Sequence, residues 1–222
     1  MGIFDIIGPI MVGPSSSHTA GAVRIGAFAR LVLGAEPAAA VLDLHGSFAA
    51  TGEGHGTPLA LLAGLLGLAP DDERIPRAEE LARAAGLDYR FETVDLGDVH
   101  PNSLRLRLSG GGAALDLAAS SVGGGRIMVW NIDGFSVDLD GHYPTILLTY
   151  PDRPGAVAIV SAILANAGLN IATIKAHRTI RGGQALMTVE LDTDPPANVL
   201  ESLRCLPQFE QVRFIPSLGF GG

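Results

Sequence analysis

The 222-residue sequence holds a single cysteine, Cys205. One thiol supports neither a disulfide framework nor a cysteine-rich metal site, and it fits a reducing compartment. Lysine is equally scarce: Lys175 is the sole lysine among 15 cations, which face 23 acids for a formal net charge of −8. No run of basic residues is present to neutralise phosphates, which excludes a nucleic-acid footprint. Aromatics make up 5% of the chain, so its core must rest on aliphatic and small side chains. The longest apolar run, residues 59–69, has 11 residues, short of the about 20 that a membrane span needs. The first seven residues carry Asp5 and no cation, so no secretory signal is read there. The expectation is a cytoplasmic chain with no membrane and no nucleic acid among its partners.

What is abundant is glycine, at 29 residues, within a chain that is 47% apolar. Charge is uneven. Residues 1–142 hold 17 acids and 9 bases, whereas residues 143–222 hold 6 of each. This asymmetry predicts two units. In the first, a serine in the cluster at 15–17 caps a helix that runs to about residue 33, where Gly34 ends it. A strand follows at 41–46, then a loop over 46–58 with four glycines, then buried and polar helices at 59–68 and 77–85. Alternating segments predict strands at 89–95, 103–109, 115–121, 127–132 and 135–139. From residue 143 the pattern becomes βαββαβ, the ferredoxin-like order. Its first helix spans 156–167, with Val157, Val160, Ile163 and Leu164 as the buried face. The second spans 195–206, with Cys205 inside it as a small core residue.

That second stretch resembles the ACT domain. The resemblance rests on Asp152-Arg153-Pro154-Gly155-Ala156 before the first helix and on Asn166-Ala167-Gly168-Leu169-Asn170-Ile171 after it. ACT modules bind amino acids where two modules pair. The resemblance therefore implies a regulatory site at Arg153, Pro154, Gly155, Ala156 and Asn170, and self-association through this module. A purely structural dimerisation unit is the alternative.

The first stretch resembles the β chain of iron–sulfur-dependent L-serine dehydratase. Four segments carry this: Gly13-Pro14-Ser15-Ser16-Ser17-His18-Thr19, Gly52-Glu53-Gly54-His55-Gly56-Thr57, His100-Pro101-Asn102 and Ser121-Val122-Gly123-Gly124-Gly125. The fold implied is α+β: a mixed α/β serine dehydratase β-type domain over 1–142, then an ACT domain over 147–220. The reaction implied is conversion of L-serine to pyruvate and ammonia. The resemblance further implies a 4Fe–4S cluster held by cysteines of a separate α chain, and Cys205 alone could not hold one here. The open iron site would act as a Lewis acid on the leaving hydroxyl.

Chemistry at the Cα–H of serine needs a base, and the carboxylate needs donors as charge develops. With the resemblance, His55 between two glycines is the expected general base, and His18 and His100 are further catalytic candidates. Taken without the resemblance, His55 reads as a loop histidine whose glycines serve turn geometry. Ser15, Ser16, Ser17 and Thr19 at a helix start, with Thr57 and Asn102, are expected to bind the substrate. Plain N-capping by one of these hydroxyls and a strand-entry loop at 100–102 are the simpler alternatives. No metal ligand is assigned to this chain: the spacing of His18, His55 and His100 matches no zinc motif. A second function class stays open, a regulatory amino-acid-binding subunit whose histidine loops shape an effector pocket while the α chain does all the chemistry.

Overall fold

A computed structural model describes residues 11–219. The chain divides into two compact units: the described residues up to Asp133 with Asp138–Asp140, and Gly134–Val137 with Gly141–Leu218. Among the described residues no helix is long and apolar enough to cross a membrane.

Among the described residues, the first element of the first unit is a π-helical stretch, Ser16–Gly21, that runs directly into α1, Ala22–Leu33. Ser15 is extended, and its hydroxyl caps the stretch by accepting the His18 N–H at 3.2 Å. Gly34 closes α1 in the left-handed conformation, which costs a glycine nothing. Strand β1, Ala39–Leu44, is followed by four helices: α2, Gly46–Ala50; α3, Gly52–His55; α4, Thr57–Leu65; and α5, Ala78–Ala84. The glycine-rich stretch expected as a loop over 46–58 is thus two short helices and the start of a third. A helix of four or five residues is too short to show a periodicity in sequence, and glycine counts mislead there.

Five more strands complete a mixed sheet: β2, Asp88–Thr93; β3, Ser103–Gly110; β4, Ala113–Gly123; β5, Arg126–Ile132; and β6, Phe135–Leu139. Their order is β2-β1-β3-β4-β5-β6. The β1–β2 pair is parallel, joined by the helical crossover, while β1–β3, β3–β4 and β4–β5 are antiparallel. Period-two alternation buries Leu42, Leu44, Leu104, Leu106, Leu115 and Leu117 on one face. On the other, Asp43 and Asp116 pair with Arg107 and Arg105.

Helices α1 and α4 cross on their backbones. A Cβ at Gly26 would lie 2.6 Å from the Leu61 carbonyl oxygen, and one at Gly64 would lie 2.1 Å from that of Val23. Each glycine costs helix propensity, roughly 1 kcal/mol relative to alanine, and in return the two axes approach without side chains between them. Packing around the crossing is apolar: Ile25, Phe28, Ala29, Leu61, Leu62 and Leu65 are fully buried. The crossing matters for the site, because His18 precedes α1 and His55 precedes α4.

The second unit contains β7, Thr145–Pro151; α6, Ala156–Asn166; β8, Ile171–Arg178; β9, Gln184–Leu191; α7, Ala197–Arg204; and β10, Gln211–Ile215. Its antiparallel sheet has the order β10-β7-β9-β8. Ile146, Leu148, Val160, Leu164, Met187, Val189 and Leu203 form its core. Two expectations fail here. Val157, expected on the buried face of α6, is 41% exposed, as its neighbour Ile159 nearly is. Cys205 lies just past the end of α7 and is exposed, not packed inside a helix.

Candidate active site around two histidines

The π-helical stretch turns His18 inward. The ring is buried against Phe48, edge to face at 5.3 Å between centroids. It lies 4.9 Å from the ring of His55 at a tilt of 35°. Hydroxyls surround it. Ser15 Oγ is 3.4 Å from Nδ1, while Ser47 Oγ and Thr51 Oγ1 are each 3.3 Å from Nε2. His55 is exposed, and its Nδ1 is 2.9 Å from the Thr51 carbonyl oxygen. Burial lowers the pKa of His18 from its ordinary value; the Ser47 backbone partly opposes this, and the adjacent His55 adds to it. The neutral form of the His18 ring is therefore favoured.

The other predicted segments converge on the same place through their backbones. The Pro101 carbonyl accepts the Ser47 N–H at 2.8 Å, and the Asn102 carbonyl accepts the Ser121 N–H at 2.9 Å. Gly46 makes the first of these contacts possible: its φ is +55°, and a Cβ there would lie 2.5 Å from the Pro101 oxygen. The histidine of this segment does not join the pair. His100 is exposed, and its Nδ1 accepts the Asn102 N–H at 3.1 Å.

Ser16 and Ser17 stand half-buried in the turn that carries His18. Thr19 and Thr57 are buried, and their hydroxyls have no hydrogen-bond partner. Ser47 and Thr51 were not among the sequence candidates. They lie 29 and 33 positions from His18, and serine or threonine in a glycine-rich stretch carries no local mark of a ring contact.

His55 and Thr51 open onto a cavity of about 1020 Å³, lined also by Phe48, Glu53, Leu59, Tyr89 and Phe91. An imidazole at a cavity wall, beside a buried neutral imidazole and a ring of hydroxyls, can accept a proton from a bound small molecule. Among the described residues no group of three His, Cys, Asp or Glu is arranged to hold a metal ion.

In the second unit, Arg153, Pro154 and Gly155 form an exposed turn into α6, with Gly155 at φ +98° as its N-cap. Ala156 is buried at the first position of that helix. Asp152 ties the turn to the β8–β9 hairpin. Its carboxylate accepts the Gly182 N–H at 3.0 Å and an Arg178 N–H at 3.1 Å. These two contacts hold it below its ordinary pKa. Asn170 Nδ2 donates to Asp192 at 2.6 Å.

Comparison with known proteins gives the following similarities. Residues 2–90 match the serine dehydratase beta chain family, and residues 145–207 match the ACT domain. The chain is 42% identical over 210 residues to the probable L-serine dehydratase, beta chain, of Bacillus subtilis, covering 95% of this chain and 96% of that one. It is 39% identical over 214 residues to the L-serine dehydratase, beta chain, of Peptoniphilus asaccharolyticus, covering 96% of each. The L-serine dehydratase TdcG of Escherichia coli is 32% identical over 165 residues, which are 64% of this chain but 36% of that longer protein.

Proposed function

Since the chain belongs to the serine dehydratase beta chain family and is a subunit of an L-serine dehydratase, we propose that it supplies the proton-transfer wall of an active site completed by a cluster-bearing α chain. The relation to the Escherichia coli protein supports a partner. There the matching stretch is 36% of one longer chain that carries the enzyme's name, so further sequence accompanies it.

A 4Fe–4S cluster does not fit this chain. Iron–sulfur clusters are held by several cysteine thiolates, and the sole cysteine, Cys205, stands exposed beyond α7 in the second unit. In the proposed reading the cluster is held by the partner α chain.

The observation that carries the reading is the His18–His55 pair at the end of a backbone-locked helix crossing. In the proposed reaction His55 takes the Cα proton of L-serine. The hydroxyl leaves with a proton as water, giving aminoacrylate. This tautomerises to the imine, and a water then releases ammonia and pyruvate. Neutral His18 stacks against His55 without adding a charge that would oppose its protonation. Ser16 and Ser17, in the turn that carries His18, receive the substrate carboxylate, while Ser15 is engaged with the ring and backbone of His18. The exposed Arg153–Ala156 turn, with Asn170, takes an amino-acid effector between two paired copies of the second unit.

The test is anaerobic co-expression of the chain with an α chain, followed by serine-to-pyruvate turnover. Turnover is expected to need both chains and to fall by about 10²- to 10⁴-fold in His55→Ala. A variant that keeps its maximum rate but shifts the serine dose response makes the histidine pair an effector pocket instead.

A further inference from the structure

Thr51 sits at the joint between α2 and α3, and it addresses both imidazoles at once. Its carbonyl oxygen lies 2.9 Å from His55 Nδ1. A carbonyl only accepts, so Nδ1 of His55 carries the ring proton and donates it there. The lone pair of the neutral ring is then on Nε2.

The Thr51 hydroxyl has one proton, and it donates to the Ser47 carbonyl at 3.0 Å. Oγ1 therefore turns a lone pair towards His18 Nε2, which must be the donor in that 3.3 Å contact. His18 Nδ1 is left bare and accepts from Ser15 Oγ, 3.4 Å away. Ser15 Oγ takes the His18 backbone N–H on its own lone pair, so its hydroxyl proton is free for the ring. Ser47 Oγ, also 3.3 Å from His18 Nε2, accepts from the same N–H and donates its own proton to Thr51 Oγ1 at 3.1 Å, which satisfies every contact of the two hydroxyls. Both nitrogens of His18 are engaged, and Nε2 of His55 is not.

We infer that Thr51 is a positioning residue that sets which nitrogen of each histidine carries the proton, and so makes His55 Nε2 the basic atom of the pair. The inference deepens the proposed reading of His55 as the base and rests on it. The carbonyl has a second consequence. Once Nε2 has taken a proton, the imidazolium still donates from Nδ1 to the same oxygen, so the ring does not reorient during turnover. His18 then serves as a fixed wall and not as an alternative base.

Two measurements on two samples test this. In the full chain, selective ¹⁵N labelling of histidine reads the tautomer of each ring directly. The expected spectrum shows His55 protonated at Nδ1 and His18 at Nε2; the opposite tautomer at either ring overturns the inference. In the assembled two-chain enzyme, Thr51→Val keeps the shape and the backbone carbonyl but removes the hydroxyl. A fall in kcat of about 10- to 100-fold with KM within about threefold is expected, together with a displaced acidic limb of the pH–rate profile. Thr51→Ser should restore kcat to within about threefold. A Thr51→Val enzyme with unchanged kcat and pH profile, in a background where His55→Ala is inactive, rejects the hydroxyl's part in the positioning role, while the carbonyl's part stands or falls on the ¹⁵N spectrum of His55. Full activity in His55→Ala rejects the base assignment itself.

Discussion

Protonating His18 is harder than protonating a histidine in water, and that asymmetry makes it a reporter of the site. Its folded pKa lies below 6.5, so between that lowered value and 6.5 the unfolded chain binds more protons than the folded one. Stability must rise with pH across this window and be lost as pH falls below about 6.5. Urea midpoints measured from pH 5 to 7 should show that slope in the wild type and a shallower one in His18→Asn; parallel slopes would locate the cost elsewhere. Asp43 is a second test at this scale. Burial raises its pKa while Arg107, 3.0 Å away, works against the shift. Arg107→Met strips the carboxylate of its partner. Because Arg107 is itself 41% exposed, the loss should be about 1–2 kcal/mol by urea unfolding, below the several expected of a fully buried pair. Legibility at this scale followed residue chemistry. His18 and His55 stood out as imidazoles in marked settings. Ser47 and Thr51 did not, because what distinguishes them is a neighbour about thirty positions away.

Among elements, α1 and α4 were readable from spacing, whereas α2, α3 and the π-helical turn were not. Long helices announce a buried face through repetition; a single turn has nothing to repeat. The π-helical stretch cannot be told from the α-helix that continues it, yet it is the element that turns His18 inward. The crossing of α1 and α4 yields a prediction whose sign depends on position. Gly64→Ala gains helix propensity, about 1 kcal/mol, but drives a Cβ to 2.1 Å from the Val23 carbonyl oxygen. Overpacking of that kind costs about 1–3 kcal/mol, so a net loss in thermal stability is expected, and turnover should fall with it as the histidine rings separate. Gly54→Ala meets nothing within 4 Å and has no positive φ. It should be neutral or stabilising by up to about 1 kcal/mol in the same melting experiment.

At the scale of the whole molecule, the order of elements and the βαββαβ series were legible from pattern, since periodicity and turn residues run along the chain. The convergence of the separated segments on one region, with two of them supplying the ring pair, was not, because it is made by the sheet and the helix crossing together. The second unit carries its own sheet and its own core, so residues 141–218 expressed alone should melt cooperatively by circular dichroism. A broad, non-cooperative transition would show that this core does not suffice by itself. The backbone crossing at Gly26 and Gly64 bears on how such a protein can change over time. Spacing between the two helices is gauged by main-chain atoms, whose radii are the same whatever the sequence. Exchanges among the aliphatic side chains flanking the contact alter how well the core fills, but they leave the distance between the helix axes untouched. The interior is thus free to drift while the geometry of the histidines stays calibrated, and the two glycines are the points at which that calibration can be lost in a single step.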